Sequence, residues 1–394
     1  MIKSEIAINT FPYTIIHTLQ VRNNFRKQKS SYTIAVTFLF RDNQMEISNI
    51  LPITLGGATL NVQYNDDPQS IPLLAMVEKA FSSGVCNSID TSPYYGDSEI
   101  LYGKVLQHLN YTNNADSSKR KSVFVITKCG RIKENEFDYT YDAITASIKR
   151  SLMRLFGSET NEFLDLVYLH DIEFQTMDQR MEALRALRDL KNQGLIRFIG
   201  CSGYPISFIV ETCVEFKKRF GESLDGTLSY SNGCLQNDTL FNDDVINQKF
   251  FNECGLKVVS NGSILSMSML SQHPLGMKSF HPCQKVIREM FDFKVSDSLN
   301  QKLSQILDKY HQKLPLLATK FAIIKNSQFN LLTVVGVSNL EEWDDCEVVF
   351  KNTKESNFKF SKDEELCIKE IDELMISNGI KNLTWSSGYY NKED

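Results

Sequence analysis

The feature that most constrains this chain is a repeat of pattern rather than of letters. From about residue 50 onward, short β-branched runs alternate with amphipathic helical windows, which is the signature of βα units feeding a parallel sheet. Eight strands are predicted: ITLGGA at 53–58, CNSIDTS at 86–92, VFVITKC at 123–129, DLVYLHD at 165–171, RFIGCSGY at 197–204, GTLSYS at 226–231, LKVVSNG at 256–262 and LLTVVGVS at 331–338. Between them, windows such as 71–81, 98–109, 143–156 and 180–194 carry apolar residues three and four apart, and Gly194 stands where a helix would be capped. The strands are apolar throughout rather than alternating, so both of their faces are expected to be buried. This predicts a closed (β/α)8 TIM barrel. A doubly wound sheet is the rival, but it would normally carry a glycine-rich G-x-G-x-x-G turn after its first strand, and the chain has none. Residues 361–376 read as an additional C-terminal helix, followed by a polar aromatic tail, NLTWSSGYY at 382–390.

Composition narrows the function. With 42% hydrophobic residues, 9 Pro and 19 Gly, the 394-residue chain has the material for a large core and is not a disordered polymer. A net charge of −5 without a basic block argues against nucleic acid as a partner. Nine scattered cysteines, none spaced C-x-x-C, point to a reducing compartment, and the expected location is cytoplasmic. Six histidines form neither H-x-H nor H-E-x-x-H, so no metal is expected. No run approaches the ~18 to 20 apolar residues of a membrane helix, and SYTIAVTFLF at 31–40 is too short, so no membrane span is expected. Residues 1–42 hold six basic residues against two acidic ones. Residues 1–48 are therefore expected to be an N-terminal extension, disordered or a poorly packed hairpin, with a mitochondrial targeting segment as the alternative. Residues 49–394 would be the barrel with its C-terminal helix and specificity tail.

Barrel chemistry sits at the C-terminal ends of strands. The second predicted strand ends in IDTSPYYG, placing Asp90, Tyr94 and Tyr95; the third ends in ITKCG, placing Lys128; the fourth ends in YLHD, placing His170 and Asp171. Each alone has an ordinary structural reading as a cap, a solvated strand end or a hydrogen-bonded histidine. Together, around one mouth, they form a site for proton transfer to an oxygen. A phenol near pH ~10 is too weak an acid for neutral pH, and an ammonium beside it is expected to bring it down. Asp90 would hold Lys128 charged and oriented, and a neutral His170 would hold a substrate oxygen.

These segments resemble the aldo-keto reductase superfamily. IDTSPYYGDSE at 89–99 is similar to its D-T-x-x-x-Y-G-x-S-E signature, with Lys128 and His170 following in order. The resemblance implies the aldo-keto reductase type of (β/α)8 barrel and the tetrad Asp90, Tyr95, Lys128 and His170, with Tyr95 as general acid/base. SPYYGDSE, DLVYLHDIEF, IGCSGYPI, ILSMSML, SFHPC and WSSG at 385–388 are similar to the branch of aldose dehydrogenases that oxidise the anomeric carbon. That branch implies a small aldose of the D-arabinose or L-galactose type as the only partner, a lactone product, and a monomer or weak dimer. It also implies nicotinamide contacts at Ser202, Ser229, Ser263 and Leu265, adenosine-ribose contacts at Gly336, Ser338, Glu342 and Asp345, and substrate specificity at Tyr94 and Trp385. Where many members carry Ser-Asn after the fifth strand, this chain reads Ser202-Gly203; Gly262 stands where a stacking tyrosine is common. The cations that hold a 2′-phosphate are replaced at the matching positions by Gly336 and Glu342, so NAD is expected to be the cofactor, with NADP weaker. The alternatives are a redox-sensing regulatory subunit that binds cofactor with little turnover, and a general NADPH-dependent carbonyl reductase.

Overall fold

The computed structural model describes residues 45–272, 281–294, 297–354 and 359–388, with the backbone of 17–18 and 35–36. The chain divides into two compact units, Met1–Met45 and Glu46–Asp394. In the first, His17–Thr18 pairs antiparallel with Ala35–Val36; the rest of the expected extension lies outside the described residues.

In the second unit eight parallel strands close on themselves: β1 Ile53–Gly56, β2 Cys86–Asp90, β3 Phe124–Cys129, β4 Leu164–Leu169, β5 Ile196–Gly203, β6 Gly226–Tyr230, β7 Val258–Gly262 and β8 Leu332–Val335. Each pairs with the next in sequence, and β8 returns to β1 with Thr333 opposite Ile53. Every residue of β1, β3, β4 and β7 is buried, which is why these strands read as unbroken apolar runs. The predicted barrel is the observed one, with strand limits within a few residues.

Helices α1 Leu73–Ser82, α2 Ser98–His108, α3 Asn113–Arg120, α4 Tyr141–Phe156, α5 Met177–Asn192 and α6 Ile206–Phe220 follow the early strands. Local chemistry starts them: Thr140 caps α4 through Ala143 N–H, and Thr176 with Gln179 forms a capping box on α5. Gly194, just past α5, has φ +81°, as its C-cap reading requires. The later half adds a π-helical segment Asp244–Glu253, then α7 Lys285–Phe291, α8 Ser298–Lys309, α9 Leu314–Phe329, α10 Leu340–Thr353 and α11 Lys362–Ser377, the last boxed by Ser361 and Glu364. Helices α7, α8, α9 and α11 bury their own apolar cluster, including Met290, Leu303, Phe321 and Ile371, separate from the main barrel core.

Charge is segregated by barrel end. At the N-terminal ends of the strands, Asp165 takes Arg120 at 2.7 Å, Arg197 at 2.7 Å and the Val125 N–H, and Asp225 takes Lys191, Lys257 and the Ile199 N–H. These buried carboxylates are fully partnered, as structural charges must be. The opposite end carries the reactive side chains.

Candidate active site

Asp90 is the last residue of β2, Lys128 the penultimate residue of β3, and His170 follows β4 directly. Tyr95 lies in the turn between β2 and α2, where its N–H bonds Ser92 O at 3.0 Å and its carbonyl accepts from Ser98 N–H at 3.1 Å. Three neighbouring strands thus bring the four groups to one mouth. Lys128 Nζ donates to Asp90 Oδ1 at 2.5 Å and to Thr91 O at 3.0 Å, and lies 4.8 Å from the centre of the Tyr95 ring. The Tyr95 and His170 rings meet edge to face at 5.8 Å, and Tyr94 stands 5.9 Å from His170. Ser92 Oγ contacts His170 Nδ1 at 3.2 Å and orients the imidazole, while Tyr139 OH donates to the His170 carbonyl and fixes the backbone beneath it.

Electrostatics add a second cation to the one the sequence reading placed beside Tyr95. Tyr95 is pushed well above its ordinary value, first by burial, then by the carboxylates of Asp90 and Asp171. Arg131 is a cation whose field works against this, while Lys128, 4.8 Å from the ring centre, donates to Asp90 and Thr91. Arg131 stacks on Tyr94 at 4.1 Å and ion-pairs with Asp171, a non-glycine residue held at φ +55°. A left-handed aspartate at the mouth of a site is the kind of local strain that functional positions retain. Burial lowers His170 to about 3, with Lys128 and Arg131 adding to the effect and Asp171 opposing it, so the imidazole is neutral at working pH. Asp90 is raised by burial, with Lys128 holding it back.

The four groups line one end of a cleft of ≈ 480 Å³. Along it lie Tyr94 and Ser202, then Ser263 and Leu265 after β7, then Gly336, Ser338, Glu342 and Asp345 after β8. Two expected residues are not on its wall. Ser229 on β6 points away from the cleft and accepts from Asn232 Nδ2 at 3.0 Å; with a strand period of two, the inward positions are Leu228 and Tyr230. Trp385 is buried behind the wall, stacked on Tyr204 at 4.6 Å. Arg131, Tyr64 and Tyr230 also line the cleft and were not anticipated. Arg131 follows the strand-end ITKCG directly and was legible; Tyr64 and Tyr230 had no distinguishing signal.

The cleft fits an extended nicotinamide cofactor. It runs from a proton-transfer cluster to the N-terminal turn of α10, and its volume is that of a small-molecule site. At the α10 end stand Glu342 and Asp345, and the cations among the described lining residues are Lys128 and Arg131, both at the tetrad. Glu342 is also engaged locally: its carboxylate accepts from Ser338 N–H at 2.7 Å, while Asn339 caps its own N–H.

A barrel with this tetrad defines a class of oxidoreductases, and the Aldo/keto reductase family model matches residues 52–373. The chain belongs to the aldo/keto reductase family. It is 40% identical over 353 residues to D-arabinose 1-dehydrogenase of Saccharomyces cerevisiae, covering 88% of this chain and 96% of that one. It is 30% identical over 320 residues to L-galactose dehydrogenase of Arabidopsis thaliana, covering 80% and 88%. The fold matches that of the glycerol dehydrogenase from Gluconobacter oxydans with a TM-score of 0.54 at 18% identity, over 86% of this chain and 94% of that one.

Proposed function

We propose that the protein is an NAD-dependent aldose 1-dehydrogenase that oxidises the anomeric carbon of a pentose-like sugar, of the D-arabinose or L-galactose type, to the lactone. The observation that carries this reading is the Asp90, Tyr95, Lys128 and His170 cluster at one end of a cleft whose other end is acidic. The names of the two curated relatives supply the substrate class. Bound nicotinamide, held by Ser202, Ser263 and Leu265 with the ribose toward Glu342 and Asp345, would supply the acceptor for the hydride leaving C1. Neutral His170 orients the anomeric oxygen, and Tyr95 takes its proton as the C–O bond becomes a carbonyl. Lys128, tied to Asp90, fixes the floor beneath the Tyr95 ring. Because Tyr95 is hard to ionise, oxidation is expected to speed up as pH rises, and the reverse reduction to favour lower pH.

The test is steady-state turnover with a panel of free pentoses and 6-deoxyhexoses, each with NAD and NADP. Tyr95→Phe is expected to lose about 10²- to 10⁴-fold in kcat with cofactor affinity nearly unchanged, while Tyr94→Phe does less. Cofactor binding without turnover of any aldose would instead identify a redox sensor. Turnover of simple carbonyls only, with NADPH, would identify a general reductase. Damage greater at Tyr94 would move the acid/base to that residue.

A further inference from the structure

Glu173 is a buried carboxylate that the proton-transfer chemistry does not use. It sits in the short turn Ile172–Phe174 after β4 and is fully shielded from solvent. Its Oε1 accepts three hydrogen bonds from three parts of the chain: Tyr204 N–H at 3.1 Å, Tyr230 OH at 3.1 Å and Ser387 Oγ at 2.9 Å. Its Oε2 has no hydrogen-bond partner among the described residues. Burying a carboxylate is costly unless it is hydrogen-bonded or paired, and what these three bonds join is informative. Tyr230 lines the catalytic cleft, whereas Ser387 belongs to the C-terminal tail.

Two glycines make the junction possible. A Cβ at Gly203 would stand 2.7 Å from Glu173 Oε2, and one at Gly388, whose φ is +60°, would stand 2.1 Å from the Glu173 carbonyl. The departure from Ser-Asn to Ser202-Gly203 therefore makes room for Glu173. The tail is fixed at further points along its length. Trp385 stacks on Tyr204 and meets His281 edge to face at 5.0 Å, and Gln284 Nε2 donates to Thr384 O at 3.1 Å. His281 in turn contacts Ser266 O at 3.0 Å, beside Met267 and Ser268 on the cleft wall.

We propose that Glu173 is a positioning residue that locks the tail segment 385–388 onto the barrel and, through the same carboxylate oxygen, fixes the Tyr230 hydroxyl at the substrate end of the cleft. The proposal rests on the aldose reading for its substrate readout but not for its structural one. Tail docking and sugar affinity are then coupled: releasing the tail frees Tyr230, and freeing Tyr230 loosens the tail.

The chain has two tryptophans, Trp343 and Trp385, so Trp343→Phe leaves Trp385 as the sole reporter of docking. In that background, Glu173→Leu is expected to shift the emission to the red, open it to acrylamide quenching, and raise KM for the aldose about tenfold, the scale of losing one buried hydrogen bond. The kcat is expected to fall less, and cofactor Kd to stay within about twofold. Glu173→Gln keeps an acceptor oxygen and is expected to restore both emission and KM. Should Glu173→Leu fail to fold, Ser387→Ala removes one bond from the tail and is expected to give the same changes at smaller size. Emission that stays blue and shielded in these variants, or that shifts while KM holds, overturns the proposal. If the wild type turns over no aldose, the substrate reading fails on its own, and Tyr230→Phe still decides the coupling: greater quenching of Trp385 supports it, and unchanged quenching overturns it.

Discussion

At the residue scale, the decisive fact is how the charges around Tyr95 are shared. Asp90, ion-paired with Lys128 at 2.5 Å, and Asp171, ion-paired with Arg131, both add to burial in raising the phenol, and Arg131 opposes them. Removing the cation alone exposes the phenolate to the uncompensated Asp171 carboxylate, which favours the protonated form and raises the pKa. Removing the carboxylate alone leaves the cation, which favours the ionised form and lowers it. Arg131→Met is therefore expected to move the rising limb of the pH–kcat profile for oxidation upward by about one unit, equivalent to ~1.4 kcal/mol, and Asp171→Asn to move it downward. Lys128→Met is expected to act in the same direction as Arg131→Met, because it strands Asp90 beside the ring. Profiles that do not move in either Arg131→Met or Asp171→Asn would show that Tyr95 is not the group whose ionisation limits the rate.

At the element scale, the strands and their ends were legible because each strand buried on both faces leaves a local, unbroken apolar signal, and a barrel aligns all strand ends on one rim. Asp90, Lys128 and His170 follow from that rule alone. Ser229 shows where it stops: which face of β6 points inward is set by pairing register with β5, where Ser229 sits opposite Gly203, and a one-residue difference swaps the lining residue for its hidden neighbour. The contacts of Glu173 with Ser387 span 214 positions and left no local trace. Helix α10 combines both situations. Its first turn is capped by Asn339, and Glu342 serves the cap through Ser338 N–H while facing the cleft. Cap and charge separate by substitution: Glu342→Gln keeps an acceptor for Ser338, so thermal stability is expected to hold, while the repulsion toward a 2′-phosphate, a few kcal/mol at ~4 to 6 Å with an effective dielectric near ~20, is removed. Wild-type kcat/KM is expected to favour NAD over NADP by about a hundredfold, with the preference reduced in Glu342→Gln and further in Glu342→Arg. A wild type that prefers NADP, or no relative gain for NADP in either variant, would overturn the role given to this acid.

At the scale of the molecule, the unit Glu46–Asp394 contains the whole closed barrel, both apolar clusters and every described residue that lines the cleft. Its first residues are structural rather than incidental. Ile47 and Ile50 are buried, the Leu51 N–H donates to Asn87 Oδ1 at 2.8 Å, Asn87 Nδ2 donates to Asn49 O at 3.0 Å, and Thr333 N–H bonds Pro52 O at 2.8 Å where β8 closes on β1. This lead-in pins the seam at which the barrel closes, so the position of a truncation matters more than its length. A chain beginning at Glu46 is expected to keep its melting temperature within about 2 °C and its kcat/KM within about twofold, because it loses none of these contacts. A chain beginning at Pro52 gives up two buried isoleucines, at roughly 1.5 to 3 kcal/mol each, along with the hydrogen bonds to Asn87, and is expected to melt several degrees lower. Melting and turnover of the two truncations decide the boundary. A large loss already at Glu46 would show that residues 1–45 contribute to the barrel's stability, and an unchanged melt at Pro52 would show that the lead-in does not hold the seam.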